Sequence, residues 1–268
     1  MAPLLPAKTV SAHESQCAGC GNGLRVRVYR PDARKVAPPV LVYFHPGRFI
    51  SGGLDEAEEI GRALAGRFGV AVVTPAYTLA AQQPFPAAAE DAYAALKWTH
   101  DNAAPALWSG RRIAVIGEEA GGNLAAVAAM MARDRGGPCL AAQVLLSPML
   151  DPTLSSSSMR VAADASKSCG EAYDSYLPHT ADRMHPYAAP MLCSRLQGLP
   201  PALILTVEND ALRDEAQQYA AKLIGAGVRT QVTRLAQAGW SAQAWREIGD
   251  FLGPLLSPQR TRAGSSSS

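Results

Sequence analysis

The chain of 268 residues carries 25 Lys and Arg against 23 Asp and Glu, so its formal net charge is only +2. This balance, with no dense basic run, argues against a nucleic-acid partner. Hydrophobic residues make up 48% of the chain and charged residues 18%, which is ordinary for a globular protein and excludes general disorder. No apolar run approaches the about 18 residues that cross a bilayer, so we expect no membrane span.

The first residues, MAPLLPAK, lack a charged segment followed by an apolar one, so the sequence predicts no secretory signal. The five cysteines are an odd number in a chain of this size, which favours a reducing compartment over a disulfide scaffold. We therefore expect a cytoplasmic protein.

From residue 24 onward, short apolar or β-branched runs alternate with Ala-rich helical stretches. This alternation predicts a mostly parallel sheet with helices on both faces, because strands buried on both sides read as continuous apolar runs. The predicted strands are 24–30, 40–44, 70–74, 112–116, 142–146, 202–207 and 228–235. The predicted helices are 55–67, 86–102, 120–133, 214–226 and 243–256.

The chain divides into one domain and less regular segments. Residues 1–23 show no periodicity and are predicted to be irregular, and residues 24–257 form the domain. Within it, residues 151–198 are rich in Ser, Pro and Asp and are predicted to form a cap-like insertion of loops and short helices. Residues 258–268 end in Gly and four Ser and are predicted to be a disordered tail.

A predicted strand runs directly into residues 117–123, GEEAGGN, and then into a predicted helix. Strand, Gly-x-x-x-Gly and helix form the layout of a nucleophile elbow, which exposes its central residue at the top of the sheet. The glycines allow the sharp turn because they have no Cβ. The central residue is Glu119, where hydrolases carry Ser.

Four stretches resemble motifs of one family. They are 43–52 (YFHPGRFISG), 75–91 (PAYTLAAQQPFPAAAED), 117–123 (GEEAGGN) and 208–215 (ENDALRDE). They are similar to the HGGGF-x-x-G oxyanion loop, the D-Y-R-L-A-P and F-P-A-A-x-x-D segment, the G-D-S-A-G-G-N elbow and the triad-acid segment of the hormone-sensitive-lipase branch of the α/β-hydrolases. This carboxylesterase-like and lipase family resembles the chain from about residue 24 to residue 256.

The resemblance implies an α/β-hydrolase fold with a mostly parallel sheet of seven to eight strands. It implies a reduced N-terminal cap, because only about 23 residues precede the first predicted strand. It also implies no metal and no cofactor, a small-molecule ligand or ester-like substrate as partner, and leaves a homodimer open.

The resemblance places Glu119 at the nucleophile position, Asp210 at the triad-acid position and Trp240 near the triad-His position. No His occurs in 236–243, where the family's His belongs, and the last His of the chain is His185. A Ser-His-Asp triad needs the hydroxyl to attack and the imidazole to take its proton. Both are missing here.

The resemblance assigns the oxyanion-hole donors to the backbone N–H groups of Gly47, Arg48 and Ala120. A carboxylate at position 119 would lie beside these donors, and an unpaired buried carboxylate is costly. We therefore expect the Glu119 carboxylate to occupy the hole and to pair with Arg48. A side chain of Arg48 that pointed to solvent would contradict this hypothesis.

Two functions remain open. The missing Ser and His favour a pseudoenzyme that binds a small molecule without classical esterase activity. The alternative is an active hydrolase or lyase-type enzyme with Glu119 as catalytic carboxylate, as a nucleophile like the Asp of epoxide hydrolases or as a general acid or base. A locked Glu119–Arg48 pair would favour the binder, and a free Glu119 the enzyme.

Other candidates have simpler interpretations. His45 is expected to hydrogen-bond the backbone of its own loop. Cys17 and Cys20 lack the second pair that a zinc site needs. His179 and His185 are expected on surface loops. Asp210, without a His to orient, is expected to stabilise its own turn.

Overall fold

The computed structural model describes residues 9–19, 23–31, 37–104 and 107–257. Within these ranges the strands are β1 (Val10–Cys17), β2 (Leu24–Pro31), β3 (Val40–Phe44), β4 (Ala71–Pro75), β5 (Ile113–Glu118), β6 (Leu140–Leu146), β7 (Ala202–Val207) and β8 (Thr230–Leu235). They form one eight-stranded sheet in the order β1-β2-β4-β3-β5-β6-β7-β8. The strand β2 is antiparallel to β1 and β4, and every other neighbouring pair is parallel. The predicted mostly parallel sheet is confirmed.

The helices of the described ranges are α1 (Glu58–Phe68), α2 (Ala87–Asp101), α3 (Ala120–Asp134), α4 (Ser157–Val161), α5 (Ala163–Tyr176), α6 (Arg213–Gly225) and α7 (Ala242–Leu256). Side chains of α1 and α7 share one core cluster, and those of α2, α3 and α6 share the other. The sheet therefore carries helices on both faces, as predicted. Of these helices, none combines the length and the apolar character needed to cross a bilayer.

The central strand β3 shows why the apolar runs are continuous. Val40, Val42 and Phe44 point into the core beside α2 and α3, while Leu41 and Tyr43 point into the core beside α1 and α7. Successive side chains of a strand point to opposite faces. Because both faces are covered, every position of this strand is buried.

The prediction that residues 1–23 are irregular is wrong for part of the segment, because Val10–Cys17 form β1. This strand pairs with β2 along its length, with Val10 opposite Pro31 and Cys17 opposite Leu24. Most side chains of β1 are exposed, so its sequence, VSAHESQC, shows no apolar alternation. An edge strand of this kind is stabilised by backbone hydrogen bonds to its neighbour. The pattern of apolar residues does not indicate such hydrogen bonds, so it could not predict β1.

The segment 151–198 contains α4, α5 and two short 3₁₀ turns, and its role as a cap-like insertion stays a prediction. The helix α5 buries Cys169, Ala172, Tyr173 and Tyr176. The predicted disordered tail, 258–268, lies outside the described residues, as does Cys20.

Candidate active site

The turn between β5 and α3 has the geometry of an elbow. Glu119 stands between the last residue of β5 and the first of α3 with φ 57° and ψ −115°. Its backbone N–H donates to Leu146 O at 2.9 Å, and its carbonyl accepts from Met149 N at 3.0 Å. A non-glycine residue in such a conformation costs about 1–3 kcal/mol and persists only where the surroundings hold it.

Two glycines make this turn possible. A Cβ on Gly117 would lie 2.0 Å from the carbonyl oxygen of Gly121. A Cβ on Gly121 would lie 2.1 Å from the carbonyl oxygen of Phe44, at the end of β3. Both obstacles are backbone atoms that cannot rotate away, so only glycine lets α3 start this close to the sheet.

The Glu119 carboxylate accepts three hydrogen bonds from the loop after β3. Its Oε2 accepts from the backbone N–H of Gly47 at 2.9 Å and from that of Arg48 at 3.1 Å. Its Oε1 accepts from Arg48 Nε at 3.1 Å, and this contact is also an ion pair. The expected Glu119–Arg48 pair is therefore present in the structure.

The backbone donors fix the carboxylate more firmly than the ion pair does. The Arg48 side chain is 41% exposed and that of Glu119 is 21% exposed, so water screens their attraction. A pair exposed to this degree contributes about 0.2–1 kcal/mol. A hydrogen bond to a charged group contributes about 1.5–3 kcal/mol, and two such bonds come from the rigid backbone of the loop.

The helix α5 lies over the same loop. Arg48 Nη1 donates to the hydroxyl of Ser168 on α5. The neighbouring Phe49 stacks on Tyr176 with ring centroids 3.9 Å apart and an interplanar angle of 6°. Arg48 and Phe49 both have positive φ, 52° and 65°. The loop thus holds Glu119 on one side and α5 on the other.

Neither Ser168 nor its contact with Arg48 is predicted from the sequence. The buried residues of α5 lie at positions 169, 172, 173 and 176, which is the i, i+3, i+4, i+7 spacing of an amphipathic helix. That spacing could have predicted a helix with one buried face, but the Ser-rich composition of the segment favoured loops instead.

Asp210 follows β7, and its carboxylate stabilises its own turn. Its Oδ1 accepts from Leu212 N at 3.0 Å, and its carbonyl accepts from Arg213 N at 3.2 Å. In the described part of the chain, Asp210 makes no hydrogen bond to a histidine. These contacts match the expected structural role, while its assignment as triad acid stays a prediction.

Trp240 contacts the residue beside Glu119. Its indole Nε1 donates to Glu118 Oε2 at 2.8 Å, and its ring meets the edge of Tyr43 with centroids 5.9 Å apart. Burial raises the pKa of Glu118, and the hydrogen bond from Trp240 opposes that rise. An indole N–H only donates, so Trp240 cannot accept a proton as a triad His does.

Other predicted residues have ordinary surroundings. His45 shares a hydrogen bond of 2.7 Å with Pro46 O and stacks on Tyr77, with centroids 4.2 Å apart. Burial lowers the pKa of His45, so its neutral form is favoured. His179 and His185 are exposed, as expected. Ala120 is buried at the start of α3, and its role as an oxyanion donor stays a prediction.

A metal site does not emerge from the described residues, where no group of three or more His, Cys, Asp and Glu side chains is arranged to hold an ion. The polar groups around Glu119 are instead N–H donors. Such donors bind anions, and in this structure they bind the carboxylate of Glu119.

The fold and the elbow define an α/β-hydrolase. A family model described as alpha/beta hydrolase fold matches residues 41–242, and the chain belongs to this family. Its relatives include carboxylesterase NlhH of Mycobacterium tuberculosis, 40% identical over 215 residues that span 78% of this chain and 67% of the relative. Carboxylic ester hydrolase LipN of the same species is 35% identical over 86% of this chain and 64% of the relative.

Solved structures are similar as well. A bacterial heroin esterase has a TM-score of 0.88 and 32% identity, covering 95% of this chain and 87% of its own. An esterase of Pyrobaculum calidifontis has a TM-score of 0.83 and 35% identity, covering 91% and 85%. The chain spans about two thirds of the length of the two curated relatives above.

Proposed function

We propose that this member of the esterase family does not hydrolyse esters by the serine mechanism and instead binds a small molecule. The observation that carries the proposal is the Glu119 carboxylate, held by the backbone N–H groups of Gly47 and Arg48 at 2.9 and 3.1 Å. These are the groups that the family resemblance assigns to the oxyanion of a reacting ester.

Three requirements of that mechanism are unmet in this site. Position 119 has no hydroxyl to attack a carbonyl, and Trp240 cannot act as the base. Donors of an oxyanion hole contribute about 2.7–4 kcal/mol each to the transition state when they are free to bind it. Here two of them bind the Glu119 carboxylate, so that stabilisation is not available to a substrate.

Ester hydrolysis by matched variants tests the proposal. We would measure turnover of p-nitrophenyl acetate and butyrate by the wild type, by Glu119→Ala and by Asp101→Ala, which removes an exposed carboxylate at the end of α2, on the side of the sheet where β5 begins. We expect all three to match an inert protein of equal concentration. Turnover by the wild type that survives in Asp101→Ala and disappears in Glu119→Ala would overturn the proposal.

That second outcome would support the alternative, an active hydrolase or lyase-type enzyme with Glu119 as catalytic carboxylate. The two relatives described above are a carboxylesterase and a carboxylic ester hydrolase, and these activities favour the alternative. The Glu119 side chain is 21% exposed and is therefore within reach of a substrate. For catalysis, Arg48 would have to release Glu119, so the alternative predicts that Arg48→Ala raises turnover.

A further inference from the structure

A cavity of about 530 Å³ lies at the edge of the sheet opposite Glu119. It is bounded by residues 37–39, which lead into β3, by the last turn of α1 and by the second half of α7. Glu119 follows the carboxyl end of β5, whereas Val70 and Arg112, which line this cavity, precede the amino ends of β4 and β5. The two sites are therefore separated by the length of the strands.

The walls of the cavity are mainly apolar. Phe68 and Val70 line it from the end of α1, and Leu252 and Leu256 line it from α7. Gly253 also lines it, and a Cβ placed on this residue would meet nothing within 4 Å. Cavities of about 300–1,000 Å³ with apolar walls and a few polar groups are typical of small-molecule sites.

Two arginines are the charged residues of the lining, which contains no Asp or Glu. Arg112 donates to two carbonyls, Leu256 O at 3.1 Å and Ala37 O at 2.6 Å. The Arg67 guanidinium lies 4.7 Å from the centre of the Trp245 ring. Neither arginine forms an ion pair with a carboxylate of the described ranges.

The helix ends reduce this positive charge without cancelling it. Both α1 and α7 end at the cavity, and the carboxyl end of a helix carries a partial charge of about −0.5. Two helix ends thus offset about one of the two positive charges. Counted over the described residues, the lining keeps a net charge of about +1 beside apolar walls.

We propose that this cavity binds a small apolar monocarboxylate, with its carboxylate at Arg67 and Arg112 and its hydrocarbon tail against Phe68 and Leu252. Charge complementarity favours an anion, and the walls favour an alkyl chain over a polar one. The chain's own residues 258–268 are a poor match, because they carry two arginines and no acidic side chain.

Calorimetric titration of the full chain with octanoate tests the proposal, with Ser257→Trp as the blocking variant. Ser257 lines the cavity, is exposed and directly follows α7, so a larger side chain there leaves the helix and the core intact. The matched control is Ser194→Trp, at an exposed bend that does not line this cavity. We expect octanoate affinity to fall at least about tenfold in Ser257→Trp and to stay unchanged in Ser194→Trp, since a filled site excludes its ligand.

The charge is tested separately with Arg67→Gln and with 1-octanol as the neutral ligand. Loss of a partly exposed charge should weaken octanoate binding about fivefold and leave octanol binding unchanged. Circular dichroism confirms that each variant is folded. Absence of octanoate binding to the wild type, or equal affinity in wild type and Ser257→Trp, would overturn the proposal.

Discussion

At the scale of single residues, the site depends on what replaced the family's serine. A carboxylate at position 119 lacks the hydroxyl of that serine, but it has the charge that suits the N–H donors that face it. Gly47 and Arg48 supply those donors, and Arg48 adds its guanidinium. The site is best described as an anion site that contains its own anion.

This description predicts that an external carboxylate can replace the internal one. Glu119→Gly removes the side chain and suits the positive φ of 57° at this position. We expect acetate at tens of millimolar to raise the Tm of Glu119→Gly, because a ligand that binds only the folded state stabilises it. Differential scanning fluorimetry in acetate and in chloride of equal ionic strength measures the effect.

The wild type is the control for this experiment, since its own carboxylate already fills the site. Equal responses of wild type and Glu119→Gly to acetate would show that the donors do not form an anion site.

The Glu119–Arg48 pair was predictable because it follows from a local rule, that a partly buried carboxylate at a helix start needs donors. The positions of the two loops came with the family resemblance. The contact from Arg48 to Ser168 on α5 was not predictable, because it joins residues 120 positions apart. The residues around Arg48 in the sequence do not indicate a contact with Ser168, and those around Ser168 do not indicate a contact with Arg48.

At the scale of elements, the elbow requires α3 to pack unusually close to β3. The obstacle to a side chain at Gly121 is the carbonyl oxygen of Phe44, only 2.1 Å from the position of a Cβ. The distance is far below van der Waals contact, so the whole of α3 would have to shift. Its buried face, which includes Leu124 and Val127, would shift with it.

We therefore expect Gly121→Ala to destabilise the protein by about 3 kcal/mol or more, because overpacking of this kind forces backbone movement. The control Gly225→Ala lies in a helix with open space around it, and it should be neutral or slightly stabilising. Urea unfolding followed by circular dichroism measures both. A Gly121→Ala variant as stable as Gly225→Ala would contradict the close packing described here.

Elements with one or two buried faces were predictable from their apolar patterns, and the predicted strands from residue 24 onward correspond to β2–β8. The strand β1 was not predictable. Its polar side chains are mostly exposed, and the edge position that makes it a strand depends on where β2 lies.

At the scale of the whole molecule, stability depends on a buried carboxyl group in the first turn of α6. Glu215 is 1% exposed, and its Oε1 accepts from Leu150 N at 2.7 Å. Burial raises the pKa of Glu215 from its ordinary value of 4.5 to about 8.

Between these two values the folded chain holds a proton that the unfolded chain has released. The free energy of unfolding therefore falls as the pH rises through this range, and it is highest with respect to this group below pH 4.5. The pKa of His45 is lowered, so its effect has the opposite sign and is confined to pH values below about 6.5.

We expect the wild type to lose roughly 1 to 2 kcal/mol of stability between pH 6.5 and 8 through Glu215. Glu215→Gln keeps an acceptor for Leu150 N but cannot ionise, so it should remove most of that loss. Urea unfolding at several pH values measures the slope, with Glu208→Gln at an exposed carboxylate as the control. A slope that is unchanged in Glu215→Gln would show that another group carries the pH dependence.

The amino-acid sequence by itself determined the class of fold and the identity of the altered residues. These features are properties of neighbouring positions in the chain. They are the apolar periodicity, the glycines of the elbow, and the absence of Ser and His at the positions where the family carries them. Only the tertiary structure decided that Trp240 donates a hydrogen bond to Glu118 and that α5 lies over the loop that contains Arg48. It also decided that a cavity with two arginines forms at the edge of the sheet opposite Glu119. These features depend on distances between segments far apart in sequence, which packing of the sheet and its helices sets.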